Sequence, residues 1–133
     1  MRTKDDVEQY LIDLDTPYQV LSDGVYRLLD DVPEVDDIIV YVSEPLVVFS
    51  VCMMDVPQKN REAFYAKLLE LNVSLVAGAY GIDGNKVVLT DTLQLENLDF
   101  NEFEASISSL ALAIHEQHPI LMALCKDDEA KED

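Results

Sequence analysis

Apolar residues recur along the first fifteen positions at the intervals of a helix. Val7, Leu11 and Leu14 fall on one side of such a helix, with Tyr10 beside them. Thr3 with Asp6 has the spacing of a capping box, which marks the start of a helix. We therefore expect a first helix over residues 4–15.

Two later stretches carry the same helical period. One covers residues 58–71, opens after Pro57, and has Asn72 as its expected C-cap. The other begins at Asp99, an N-cap residue that precedes Glu102 by three positions, and Pro119 is expected to stop or kink it. The apolar residues expected to pack these two helices on the core are Phe64, Leu68, Phe103, Ile107, Leu110 and Ile114.

Extended structure is predicted between the first two helices. An alternating stretch over 18–21 leads through a turn into a short strand over 25–29, and an acidic loop over 30–37 follows. Two runs rich in β-branched and apolar residues, 38–42 and 46–54, are then expected to form a hairpin. Pro45 lies between them, and because it has no N–H to donate a hydrogen bond to a neighbouring strand, it suits the turn or the first residue of the second strand.

A second hairpin is predicted before the last helix. Its strands cover residues 74–81 and 86–92, and the Asp83-Gly84 dipeptide between them is a strong hairpin signal. The small residues Ala77, Gly78 and Ala79 in its first strand indicate close approach by another backbone or by a helix.

The predicted order is α-β-β-β-α-β-β-α. Strands joined by short hairpins are antiparallel, so the fold class is α+β with an antiparallel sheet. One domain is expected over residues 1–125. Residues 126–133 hold two basic and five acidic side chains without a large apolar one, which predicts a disordered acidic tail.

The predicted strand 46–54 is apolar on both faces. One face carries Leu46, Val48, Ser50, Cys52 and Met54, and the other carries Val47, Phe49, Val51 and Met53. Antiparallel sheets usually expose one polar face, so something must cover the second side. Helices on both faces, a dimer partner and a bound peptide are the alternatives. The second set is the candidate protein-binding or dimer surface.

The strongly negative net charge of the chain argues against negatively charged partners. The chain holds 27 acidic and 9 basic residues, a formal net charge of −18, with 49% hydrophobic residues. Nucleic acid and anionic membrane surfaces are therefore unexpected partners. No secretory signal or membrane-spanning stretch is recognisable, which predicts a cytoplasmic protein.

No motif for catalysis or for a cofactor is present, and neither an enzyme nor a cofactor is predicted. Cys52 and Cys125 lack metal-site spacing and are expected to be reduced thiols, with a redox pair as the alternative. His115 and His118 lack a third ligand and the spacing of a zinc motif, and are expected at the surface near a helix C-terminus.

Four segments of the second half of the chain carry a family resemblance: Leu69-Glu70-Leu71-Asn72, Gly78-Ala79-Tyr80-Gly81, Val87-Val88-Leu89 and Asn101-Glu102-Phe103. They resemble the type III secretion chaperone-like superfamily, which includes the Tir-chaperone (CesT) proteins and the YbjN-like proteins. The order of elements matches along nearly the whole chain, and the stand-alone YbjN-like branch is the closer one.

The resemblance implies a non-catalytic α+β homodimer. Secretion chaperones of this fold hold an extended segment of a partner protein against apolar patches and strand edges. A YbjN-like sensory or regulatory domain without a dedicated client is the alternative, since fold alone does not determine function.

Overall fold

A computed structural model describes residues 1–29 and 35–130, with side chains as far as residue 125. Its elements are α1 (Lys4–Leu14), β1 (Tyr18–Ser22), β2 (Val25–Leu28), β3 (Ile39–Ser43), β4 (Leu46–Asp55), α2 (Arg61–Ser74), β5 (Ala79–Asp83), β6 (Lys86–Gln94) and α3 (Phe100–Ala130). The strands form one antiparallel sheet in the order β1-β2-β3-β4-β6-β5. The α+β class and the predicted order are confirmed, and the alternating stretch 18–21 supplies an additional edge strand.

Two of the three predicted helix starts, those of α1 and α3, are present as hydrogen-bonded caps. The Thr3 hydroxyl accepts from the backbone N–H of Asp6, and the Asp6 carboxylate accepts from the backbone N–H of Thr3, which completes the capping box. The Asp99 carboxylate likewise accepts from the backbone N–H of Glu102 at 2.8 Å.

Helix α2 lies three residues later than its predicted range of 58–71. It begins at Arg61 and ends at Ser74, and Asn72 lies inside it rather than at its cap. The Asn72 side chain instead accepts a hydrogen bond from the backbone N–H of Tyr80. The strand predicted over 74–81 consequently begins only at Ala79.

Helix α3 does not stop at Pro119. The proline and His115, whose carbonyl loses its partner there, are both exposed, so water can hydrate that carbonyl. The helix continues to Ala130, beyond the predicted domain end at residue 125. Residues 131–133 of the predicted tail and residues 30–34 of the predicted acidic loop lie outside the described residues. No helix in the described ranges is long and apolar enough to cross a bilayer.

The core lies on one face of the sheet. The inward residues of neighbouring strands pair across the ladder, as Val40 with Phe49 and Val51 with Leu89 do, and all four are buried. All three helices contribute to this one cluster. Their buried apolar residues are Val7 and Leu11 on α1, Phe64, Leu68 and Leu71 on α2, and Phe103, Ile107, Leu110, Ala113, Ile114 and Leu121 on α3.

Gly78 confirms the close approach that the small residues predict. Its φ is +83°, and a Cβ placed there would lie 2.7 Å from the Thr90 carbonyl oxygen and 3.2 Å from Leu110 Cδ2. Strand β6 and helix α3 therefore both pass against a backbone that tolerates only glycine at this point.

Candidate protein-binding surface

The four residues of the predicted interaction surface are part of the core. Val47, Phe49, Val51 and Met53 have almost no exposed area, and the Phe49 ring packs on Phe103 of α3 with centroids 5.4 Å apart. Because the alternation of a strand does not reveal which side its helices cover, the sequence pattern was consistent with either face. The assignment of these residues to an exposed surface is therefore wrong for the folded chain.

The opposite face of β4 is half-buried, and the buried residues of all three helices belong to the core on the other face. Ser50 and Cys52 line a depression of about 560 Å³ there, together with Arg27, Val35, Asp36, Asp37, Ile39 and Val88. Arg27 Nε lies 3.8 Å from an Asp37 carboxylate oxygen at its rim. Three explanations were open for a strand that is apolar on both faces: helices on both faces, a dimer partner or a bound peptide. In the described residues the helices pack on one face only, so the first explanation is excluded.

Cys52 in this depression is a poor nucleophile. Burial raises the pKa of its thiol, and the Asp36 carboxylate nearby raises that pKa further. The thiol is thus kept protonated at neutral pH. Cys52 and Cys125 form no disulfide.

The two histidines do not form a common site. His115 is exposed, whereas His118 is buried within α3, so the expectation that both lie at the surface is wrong for His118. Among the described residues, no group of three or more His, Cys, Asp and Glu side chains is arranged to hold a metal ion.

Among the residues whose side chains the structure describes, the most exposed large apolar ones lie on and just after α2. Leu69 is 69% exposed, Val73 87% and Val76 83%, with Tyr65 one turn before Leu69 at 37%. We call these four residues the α2 stripe. They turn away from the buried side of the helix, which carries Phe64, Leu68 and Leu71.

The α2 stripe was not predicted, although its spacing is visible in the sequence. Tyr65, Leu69, Val73 and Val76 recur at i, i+4, i+8 and i+11, which is a helical period. The spacing of the stripe was overlooked because Phe64, Leu68 and Leu71 also recur with a helical period and account for the helix by themselves. A helix with apolar residues on two sides either is fully covered by its own chain or contacts a second one. In the described residues α2 is covered on one side only.

The fold matches solved structures at low sequence identity. A chain of the ExsC-ExsE complex matches this one with a TM-score of 0.68 and 17% sequence identity. The match covers 91% of this chain and 97% of that chain. The heterodimeric ExoU-SpcU complex from the type III secretion system of Pseudomonas aeruginosa gives a TM-score of 0.64 and 20% identity, covering 89% and 96%. YbjN from E. coli gives 0.60 and 16%, covering 97% and 93%.

A search of curated protein sequences finds no match. The CesT_Tir_1 family model, by contrast, matches residues 1–127, which is nearly the whole chain. The resemblance seen in the sequence is thus confirmed, and the chain belongs to the CesT_Tir_1 family.

Proposed function

We propose that this chain is a non-catalytic protein-binding module that holds an extended or apolar segment of a partner protein and acts as a homodimer. The observation that carries the proposal is the α2 stripe, whose apolar side chains are left in water by the chain's own fold. A contiguous apolar patch on a small domain marks a contact with another polypeptide. Similar chains occur in the ExsC-ExsE and ExoU-SpcU complexes with partner proteins, which supports the same class of function.

The α2 stripe suits a second copy of this chain. Charge works against close approach of two chains at −18 each, so the contact must be apolar and must hold few charges. The stripe meets this condition, because its four side chains carry no charge and Glu70, which follows Leu69 in the chain, pairs with Lys67 at 3.7 Å. A two-fold axis beside α2 would place the stripe of one chain on the stripe of the other.

Affinity purification of the tagged chain from its native host tests whether it binds a partner protein. We expect one partner at a fixed ratio to this chain, identified by mass spectrometry. Limited proteolysis of the purified complex should then protect one short segment of the partner and leave its flanks open to cleavage. A partner that is bound as a fully protease-resistant domain would contradict the holding of an extended segment.

A second candidate function is that of a sensory or regulatory domain without a dedicated client. The structural match to E. coli YbjN, a proposed transcription regulator, favours it, since that match covers 97% of this chain. The same purification separates the two. A homodimer that retains no stoichiometric partner supports the regulatory domain and contradicts the client-holding module.

A further inference from the structure

Sulfur-containing residues gather at one place on the surface. The chain holds two cysteines and four methionines, and four of these six residues, Cys52, Met53, Met54 and Met122, line one depression of about 290 Å³. We call it the sulfur depression. It lies beside the larger depression described above, since Cys52 and Asp36 line both. Two distant segments of the chain therefore contribute sulfur to the same site.

Strand β4 supplies its part where it projects beyond β3. The ladder between these strands ends at Ser50, so residues 51–55 pair with β6 alone. The register shifts between Cys52 and Met54, which places a β-bulge at Met53. Such a bulge bends the strand and changes the direction of its side chains. Cys52 and Met54 are both half-buried beside the depression, whereas Met53 is fully buried in the core.

Helix α3 supplies the other part because it continues past Pro119. Its residue Met122 lines the sulfur depression and is half-buried. The usual role of methionine is to fill gaps in a core, and Met53 has that role here. Cys52, Met54 and Met122 instead border open space, so their sulfur atoms are available to a ligand.

Charge at the sulfur depression favours a cation. Of the residues that line it, Lys86 alone is basic, and its ammonium group already pairs with the Asp55 carboxylate. Asp36 adds a second carboxylate close to the Cys52 thiol. The chain as a whole carries a formal charge of −18. The local field is therefore negative and attracts positive ions.

The donor atoms determine which cation fits. Thiolate and thioether sulfur are soft ligands that select Cu(I), whereas carboxylates suit magnesium, calcium and manganese. Zinc is held by cysteine, histidine and carboxylate ligands. Within the described part of the chain, no three His, Cys, Asp or Glu side chains are arranged to hold a metal ion. One thiol and two thioethers thus favour Cu(I) over zinc.

We propose that Cys52, Met54 and Met122 bind one Cu(I) ion in the sulfur depression. On binding, the S–H bond of Cys52 breaks, its proton passes to the buffer, and an S–Cu bond forms. The two methionines each donate a sulfur lone pair. Copper enters and stays as Cu(I), so no electron is transferred. The inference is independent of the protein-binding role proposed above.

Competition with a chromogenic chelator tests the proposal on the wild-type chain. Cu(I) is supplied as its bicinchoninate complex under nitrogen, and the absorbance of that complex reports the copper that remains with the chelator. We expect the chain to remove one Cu(I) ion per molecule. Zn(II) at the same concentration should not be retained after gel filtration, because two of the three ligands are thioethers.

Two variants test the ligands. Cys52→Ser removes the thiol, and Cys125→Ser makes the same change at a cysteine that does not line the depression. Met122→Leu removes a thioether and keeps the apolar volume, so its circular dichroism should be unchanged. Loss of a direct ligand should weaken Cu(I) binding by at least the about 10–100-fold that loss of an outer partner costs. Cys125→Ser should bind as the wild-type chain does.

NMR of the wild-type chain labelled with ¹³C at its methionine methyl groups gives a readout that needs no variant. Ag(I), a soft ion that keeps its oxidation state, should shift the methyl signals of Met54 and Met122 and leave that of Met1 unchanged. Absence of Cu(I) binding, equal binding of Zn(II), an equal loss in Cys125→Ser and Cys52→Ser, or unchanged signals of Met54 and Met122 would each overturn the proposal.

Discussion

The rings of Phe49 on β4 and Phe103 on α3 pack 5.4 Å apart at an interplanar angle of 55°, and neither has any exposed area. The Tyr10 ring of α1 lies 5.5 Å from the Phe103 ring, tilted by 40°, so one aromatic cluster joins two helices to the central strand. The residue that the sequence placed on a binding surface is thus at the centre of the fold.

Replacing Phe49 by Ala is expected to lower the free energy of unfolding by about 3–5 kcal/mol, because the cavity cannot collapse between a strand and two helices. Val48→Ala, on the half-buried opposite face of the same strand, should cost about 1 kcal/mol. Urea denaturation followed by circular dichroism measures both. Similar losses for the two variants would contradict the one-sided core.

Stability at high pH should depend on Tyr80. Burial raises the pKa of its hydroxyl to about 12, and that hydroxyl donates to the Gln117 side-chain oxygen at 2.7 Å. An unfolded tyrosine titrates near 10, so the folded state holds its proton more tightly. The resulting stabilisation is fully present below pH 10 and is lost as pH rises towards 12.

We therefore expect wild-type protein to lose about 1 kcal/mol more stability than Tyr80→Phe between pH 9 and pH 11. At neutral pH the same variant should be about 1 kcal/mol less stable than wild type, because Gln117 is left buried without its donor. Urea titrations at these pH values measure both differences. Parallel pH profiles for the two proteins would show that Tyr80 is not buried in its neutral form.

Glycine at position 78 is required by packing as well as by its positive φ. Gly78→Ala should cost about 3 kcal/mol or more, since its Cβ would collide with the Thr90 carbonyl. Gly84→Ala is the matched control, because Gly84 also has a positive φ, of +61°, but no atom lies within 4 Å of its Cβ position. It should cost about 1 kcal/mol. If thermal unfolding showed equal losses of stability for the two variants, the positive φ alone would explain the requirement for glycine at position 78, without the contact to Thr90.

Local signals in the sequence predicted most of the fold. The cap at Thr3, the cap at Asp99 and the constrained glycine at 78 depend on neighbouring residues or on a single tight contact, and the structure confirms all three. Such features are readable because short-range chemistry determines them.

Features that depend on contacts between distant parts of the chain could not be predicted from the sequence. The two faces of β4 are similarly apolar, so only the placement of α3 decides that Phe49 is buried and Val48 is not. Asn72 suits a helix end by local preference, but its hydrogen bond to Tyr80 of β5 holds it within α2. The α2 stripe was missed for the same reason, since burial of one side of a helix depends on what the rest of the chain can cover.

Sedimentation equilibrium at micromolar concentration tests most directly whether the α2 stripe is a protein contact. We expect a dimer for the wild-type chain and a monomer for the double variant Leu69→Asp, Val73→Asp, with unchanged circular dichroism because both residues are exposed. Leu112→Asp, at a leucine of α3 that is 50% exposed, is the control and should remain dimeric. A monomeric wild-type chain, or a double variant that stays dimeric, would contradict the account.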